Sequence, residues 1–176
     1  MPLSDRKLTE KKTRKLVLLA VLVSIATALH AVELLFPNPF PVPGAKLGLA
    51  NIITLITLEV FGWKEGLVVV VLRVFIGSLL GGTFLGLGFL LSFSGAVFSL
   101  LIMHFLSRYI PGLSVIGVSV GGAAAHNTAQ VAVAAGLTQT TYLFYYLPFL
   151  LLISVPTGFF TGVAARAVLE KGVRHH

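Results

Sequence analysis

LSVIGVSVGGAAAHNTAQVAVAAGL, residues 113–137, is the stretch on which the interpretation of this chain turns. It is long and apolar enough to cross a bilayer, for which about 20 predominantly apolar residues suffice. Near its middle, however, stand His126, Asn127 and Gln130. On a helix these three fall within about 100° of one another, while Gly117, Gly121, Ala125 and Ala129 mark the other side. Small side chains at four-residue spacing let a neighbouring helix approach closely. The polar trio must face protein, water or a ligand, because an uncompensated amide or imidazole in hydrocarbon costs several kcal/mol. It forms either an interhelical hydrogen-bond clamp or the wall of a polar cavity, and three such groups together favour the cavity.

Five further apolar runs, 16–36, 46–62, 65–81, 87–107 and 142–169, fill nearly all of the remaining chain. With 56% hydrophobic and 11% charged residues and a mean hydropathy of +0.96, the polar material is too scarce to cover a soluble globule. The expected fold is therefore all-α, a polytopic bundle of six transmembrane helices forming a single domain over 16–170. A basic segment, 1–15, precedes it and a short tail, 171–176, follows. His175 and His176 are set aside as a tag remnant. Pro37, Pro39, Pro41 and Pro43 end the first run, since each removes a backbone donor and biases its predecessor away from helix. Gly62-Trp63-Lys64-Glu65 predicts a tight turn with Trp63 in the headgroup layer.

The formal charge of +7 does not point to nucleic acid, because the cations sit at the ends of apolar runs rather than over a polar surface. Eleven of the 13 Lys and Arg fall on one side of the expected bundle: Arg6, Lys7, Lys11, Lys12, Arg14, Lys15, Lys64, Arg108, Arg166, Lys171 and Arg174. The positive-inside rule then places both termini in the cytoplasm. The absence of cysteine excludes a disulfide framework and a thiolate metal site.

Two sets of residues stand out as functional candidates. Ala20, Ser24 and Ala28 form a small-residue stripe on the first helix, suited to docking a partner, with Glu33 pointing roughly the opposite way. Arg73 is a permanent charge halfway along the third run and requires a carboxylate or an anionic ligand. Glu33 and Glu59 are the only acids in the interior of apolar runs, Glu65 standing at the very start of the third. Arg73 therefore either pairs with one of them or joins Lys46, Asn51 and His126 in an anion site. Lys46 and Asn51 are expected on the first turns of the second helix, where the helix dipole also favours negative charge. The ligand-binding candidates are thus Glu33, Lys46, Asn51, Arg73, His126, Asn127 and Gln130, with Phe75, Phe84 and Phe89 as apolar walls.

Several chemistries are excluded by residue type. A prenyl-chain synthase of the usual kind holds its diphosphate through magnesium on paired aspartate clusters, and this chain has one aspartate, Asp5. No Gly-rich loop ends in Gly-Lys-Ser/Thr, no HExxH is present, and no nucleophilic triad is apparent. No catalytic residue, metal site or required cofactor is expected.

Pro-Gly-Ala-Lys-Leu-Gly-Leu-Ala-Asn (43–51), Phe-Gly-Trp-Lys-Glu (61–65), Leu-Arg-Val-Phe-Ile-Gly-Ser-Leu-Leu-Gly-Gly-Thr-Phe (72–84) and Ala-His-Asn-Thr-Ala-Gln (125–130) carry a family likeness. In these motifs the chain resembles the bacterial family known as heptaprenyl diphosphate synthase component I, also called the Gx transporter family. The resemblance covers nearly all of residues 12–170. That family is similar in size and six-helix plan to the substrate-binding S components of energy-coupling-factor transporters. The likeness implies that the stripe Ala20, Ser24 and Ala28 docks onto the transmembrane subunit of an energy-coupling module with its ATPases. It also implies a small-molecule ligand in the outer half of the bundle. The family name implies instead a soluble prenyltransferase partner and a bound prenyl lipid or quinone. The first expectation is an S-component-like uptake subunit for an amphipathic, isoprenoid- or quinone-related ligand with an anionic or quinone-like head, in a prokaryotic inner membrane, surrounded by membrane lipid. The second is a non-catalytic accessory subunit of isoprenoid biosynthesis.

Overall fold

The computed structural model describes residues 3–35 and 48–173, with side chains over 9–33 and 48–171. Six α-helices follow one another: α1 Leu3–Leu35, α2 Leu49–Phe61, α3 Trp63–Leu80, α4 Leu87–Tyr109, α5 Val115–Thr138 and α6 Leu147–Val173. A 3-10 turn, Thr141–Tyr146, leads into α6, and no strand occurs among the described residues.

Side-chain pairings give the helix directions. Asn51 on α2 and Arg73 on α3 are hydrogen-bonded although they lie at equal chain distances before and after Gly62, so α2 and α3 form a hairpin hinged on that residue. Gly62 has φ +96°, a conformation that side-chain-bearing residues rarely adopt. Lys15 pairs with Glu65, and fifteen residues later His30 packs on Gly77, so α1 and α3 ascend together. Ser119 meets Thr161 and Asn127 meets Ser154, so α5 and α6 run antiparallel. Gly95 abuts Gln130 while Gly122 abuts Met103, so α4 and α5 are antiparallel as well. Direction thus alternates along the chain, and α1 begins at the end of the bundle where α6 finishes.

Close helix approach is concentrated in the C-terminal half. A Cβ on Gly158 would lie 2.6 Å from the Val120 Cα, and one on Gly162 would lie 2.7 Å from the Ile116 Cα, so backbone meets backbone where α6 crosses α5. These α6 glycines, preceded by Ser154 four residues earlier, are the small-residue stripe that sets this crossing. The expected stripe on α5 behaves differently: Gly121 accommodates Leu106 of α4. The dry core joins Leu55, Val69, Val70, Leu100 and Met103, all almost fully buried. Thr54, Thr57, Thr157 and Thr161 hide their hydroxyls by donating to backbone carbonyls one turn back.

Many large apolar side chains, among them Leu72, Leu79, Phe98, Leu152 and Phe160, face outward, as a lipid environment requires. Among the described residues, three helices are long and apolar enough to cross a membrane, over Thr9–Glu33, Leu87–Tyr109 and Thr141–Lys171. The expected run 46–62 is shorter as a helix. Gly48 has φ +74° and α2 starts only at Leu49, so its 13 residues rise about 20 Å, less than a hydrocarbon core of about 30 Å. The basic segment continues α1 as helix rather than standing apart from it.

Candidate functional site

All six helices contribute to one interior cavity of about 30 Å³, room for about two waters. α1 supplies His30 and Glu33, the start of α2 supplies Gly48 and Asn51, and α3 supplies Arg73. Facing them are Ser92, Ser99 and Met103 on α4, Ser119, His126 and Asn127 on α5, and Thr157 and Thr161 on α6.

Helix geometry explains each placement. Asn51 sits in the first turn of α2, and its side-chain oxygen accepts from Arg73 Nη2 at 3.0 Å. Glu33, near the end of α1, accepts from the Gly48 backbone N–H, which stands at the positive end of α2. Arg73 is 3% exposed, and its Nε has no hydrogen-bond partner among the described residues. The Ser99 hydroxyl, fully buried, also has none there. Leaving a buried donor unmade costs about 1–3 kcal/mol, and both of these groups border the same small cavity.

The two histidines are seated alike. His30 lies against Gly77 of α3, where a Cβ would come within 2.7 Å of its Cδ2. His126 lies against Gly95 of α4, where a Cβ would come within 2.8 Å of its Cε1 and Nε2. In both cases the missing side chain of one helix makes space for the imidazole of another.

Of the residues expected from sequence, Glu33, Asn51, Arg73, His126 and Asn127 are brought together. Asn127 also serves as a clamp: its Nδ2 donates to Ser154 Oγ at 2.8 Å and to the Leu150 carbonyl at 3.2 Å. Gln130 is buried beside Gly95 and does not line the cavity. Lys46 lies outside the described residues. Arg73 forms no ion pair with Glu33 or Glu59; Glu59 accepts instead from Ser107 at 2.8 Å. Phe75, Phe84 and Phe89 are not cavity walls. With Phe93 they form an aromatic cluster linking α3 and α4, in which Phe84 touches Phe75 and Phe89, Phe93 touches Phe75 and Phe89, and the Phe75 and Phe89 centroids are 5.2 Å apart. Ala20, Ser24 and Ala28 are exposed on α1, with Ser24 donating to the Ala20 carbonyl.

Sequence reasoning missed His30, Ser92, Ser99, Ser119, Thr157 and Thr161. Ser92 and Ser99 are seven residues apart, and Thr157 and Thr161 four apart, so each pair shares a helix face. Those spacings were the available signal, but hydroxyls are common enough in membrane helices to carry little weight alone. No group of three or more metal-ligating side chains occurs among the described residues.

Comparison with known proteins gives one match. A family model described as heptaprenyl diphosphate synthase component I covers residues 22–168. No curated protein and no solved structure matches the chain.

Proposed function

This chain belongs to the heptaprenyl diphosphate synthase component I family, and from that premise we propose that it is the membrane component of a prenyl-chain-forming system. It does not catalyse alone; its role is to hold an isoprenoid lipid by the polar head for a soluble prenyltransferase. A numbered component implies at least one other, and a chain with a single aspartate lacks the usual means of binding magnesium diphosphate. The observation that carries the ligand role is the cavity itself, where Arg73 Nε and Ser99 Oγ are buried donors among polar groups from all six helices. The apolar outer face fits a protein that works within lipid. In the membrane of a prokaryotic cell, crossed several times, the cation distribution puts both termini in the cytoplasm, beside a soluble partner.

The test is co-purification from the native membrane, followed by native mass spectrometry of the detergent-solubilised protein. The expected outcome is a stoichiometric prenyl lipid or quinone together with a soluble prenyltransferase. A water-soluble metabolite with ATPase subunits would replace this reading by the uptake subunit. One observation favours that second reading: the stripe Ala20, Ser24 and Ala28 faces outward on α1, available to a transmembrane partner.

A further inference from the structure

Arg73 is the cavity residue whose needs the protein meets least, and it narrows the kind of head group the site takes. Its guanidinium carries a permanent positive charge and five N–H donors in a planar fork. It is 3% exposed and forms no ion pair among the described residues. Nη2 donates to the Asn51 amide, and Nε has no hydrogen-bond partner there. An amide oxygen accepts a hydrogen bond but supplies no compensating charge. Glu33 lines the same cavity, yet its carboxylate is engaged by the Gly48 N–H and not by Arg73. A buried cation without a contacting carboxylate is stabilised by an anion that enters beside it.

The start of α2 acts in the same sense. From the Gly62 hinge α2 rises about 20 Å, so its N-terminal end stops inside a hydrocarbon core of about 30 Å rather than at the surface. Gly48, Ala50 and Asn51 at that end line the cavity together with Arg73. The positive end of a helix dipole held at membrane depth favours negative charge. A guanidinium from α3 and the N-terminal end of α2 are two independent sources of positive potential on one cavity.

We infer that the cavity binds the anionic oxygen of a phosphate or carboxylate head group, with Arg73 Nε donating to it and the charge of Glu33 opposing it. The inference rests on the isoprenoid-binding reading for the apolar part of the ligand and names the chemistry of its head.

The experiment uses the full chain in nanodiscs of neutral phospholipid, titrated separately with farnesyl phosphate, farnesol and tetradecyl phosphate, and read by native mass spectrometry and thermal unfolding. The first two probes share a chain and differ in charge; the first and third share a head and differ in chain. Farnesyl phosphate should bind saturably, one to one, about tenfold or more tighter than farnesol, the worth of one charge-assisted hydrogen bond. Arg73→Lys keeps the charge but lacks the fork, and should weaken farnesyl phosphate by a similar factor. Glu33→Gln can still accept from the Gly48 N–H but removes the like charge. It should tighten farnesyl phosphate several-fold and leave farnesol unchanged, and it carries the test where Arg73→Lys fails to fold. Four results would overturn the inference: farnesol binding as tightly as farnesyl phosphate, a folded Arg73→Lys variant that binds unchanged, a Glu33→Gln variant that does not bind the phosphate more tightly, or no binding of farnesyl phosphate to folded protein. Tetradecyl phosphate binding as tightly as farnesyl phosphate would uphold the anionic head and overturn the isoprenoid reading instead.

Discussion

α1 and α3 bring the charge-bearing Glu33 and Arg73 to the cavity and α2 adds the amide of Asn51, whereas α4, α5 and α6 face it with hydroxyl, amide, imidazole and thioether groups. The two halves are also held together differently. In the first, polar groups reach across helices to satisfy each other, Glu33 to the Gly48 N–H and Arg73 to Asn51. In the second, Gly158 and Gly162 let α6 lie on the backbone of α5, with Ser119–Thr161 and Asn127–Ser154 adding neutral hydrogen bonds. Charge in hydrocarbon demands fixed partners, so the first half is sensitive to the loss of one ion. Close backbone packing has no such single point of failure but tolerates no added volume.

The largest expected effect is in the first half. Arg73→Met leaves Glu33 without its compensating charge and removes the partner of Asn51, and should cost about 3–5 kcal/mol of stability. Adding Glu33→Gln should recover much of that loss, since a neutral pair needs no counter-ion. Thermal unfolding in detergent of the two single variants and the double variant checks this. A double variant no more stable than Arg73→Met would show that the two charges are not coupled.

Gly158→Ala tests the second half. Its new methyl would lie 2.6 Å from the Val120 backbone, so α5 and α6 must separate, at about 1–3 kcal/mol. Unchanged stability would mean that this crossing is loose. Asn127→Leu should cost about 1–2 kcal/mol in the same assay, the usual range for an interhelical hydrogen bond in a membrane. A loss as large as that of Arg73→Met would erase the contrast between the halves. The smallest effect belongs to the bundle end. Lys15→Gln removes the ion pair with Glu65 and should shift stability by less than about 1 kcal/mol, and less still at high salt.

Much of this architecture is legible in the sequence. The hinge at Gly62 and the inward direction of Glu33, Asn51, Arg73, His126 and Asn127 follow from local chemistry and helical period. The pairing of Arg73 does not. A charge names the kind of partner it needs, but an amide oxygen on α2 competes with a carboxylate on α1, and helix positions decide between them. His30 escaped notice for a similar reason: one imidazole in an apolar run is unremarkable until Gly77 is found beneath it. The expectation of Phe75, Phe84 and Phe89 as cavity walls rested on residue type, whereas their packing on one another, and of Phe75 and Phe89 on Phe93, couples α3 to α4.

The sequence by itself determined that the chain is helical, with helices apolar enough to cross a membrane, and that a set of polar groups needs partners away from an apolar surrounding, because hydropathy and the cost of unmatched polarity are properties of residues and of spacing along one helix. The tertiary structure alone decided which groups share a cavity and which donors, Arg73 Nε and Ser99 Oγ, have no partner among the described residues. Those are properties of distances between helices, and residues remote in sequence fix them through glycine contacts, hinge positions and crossing geometry.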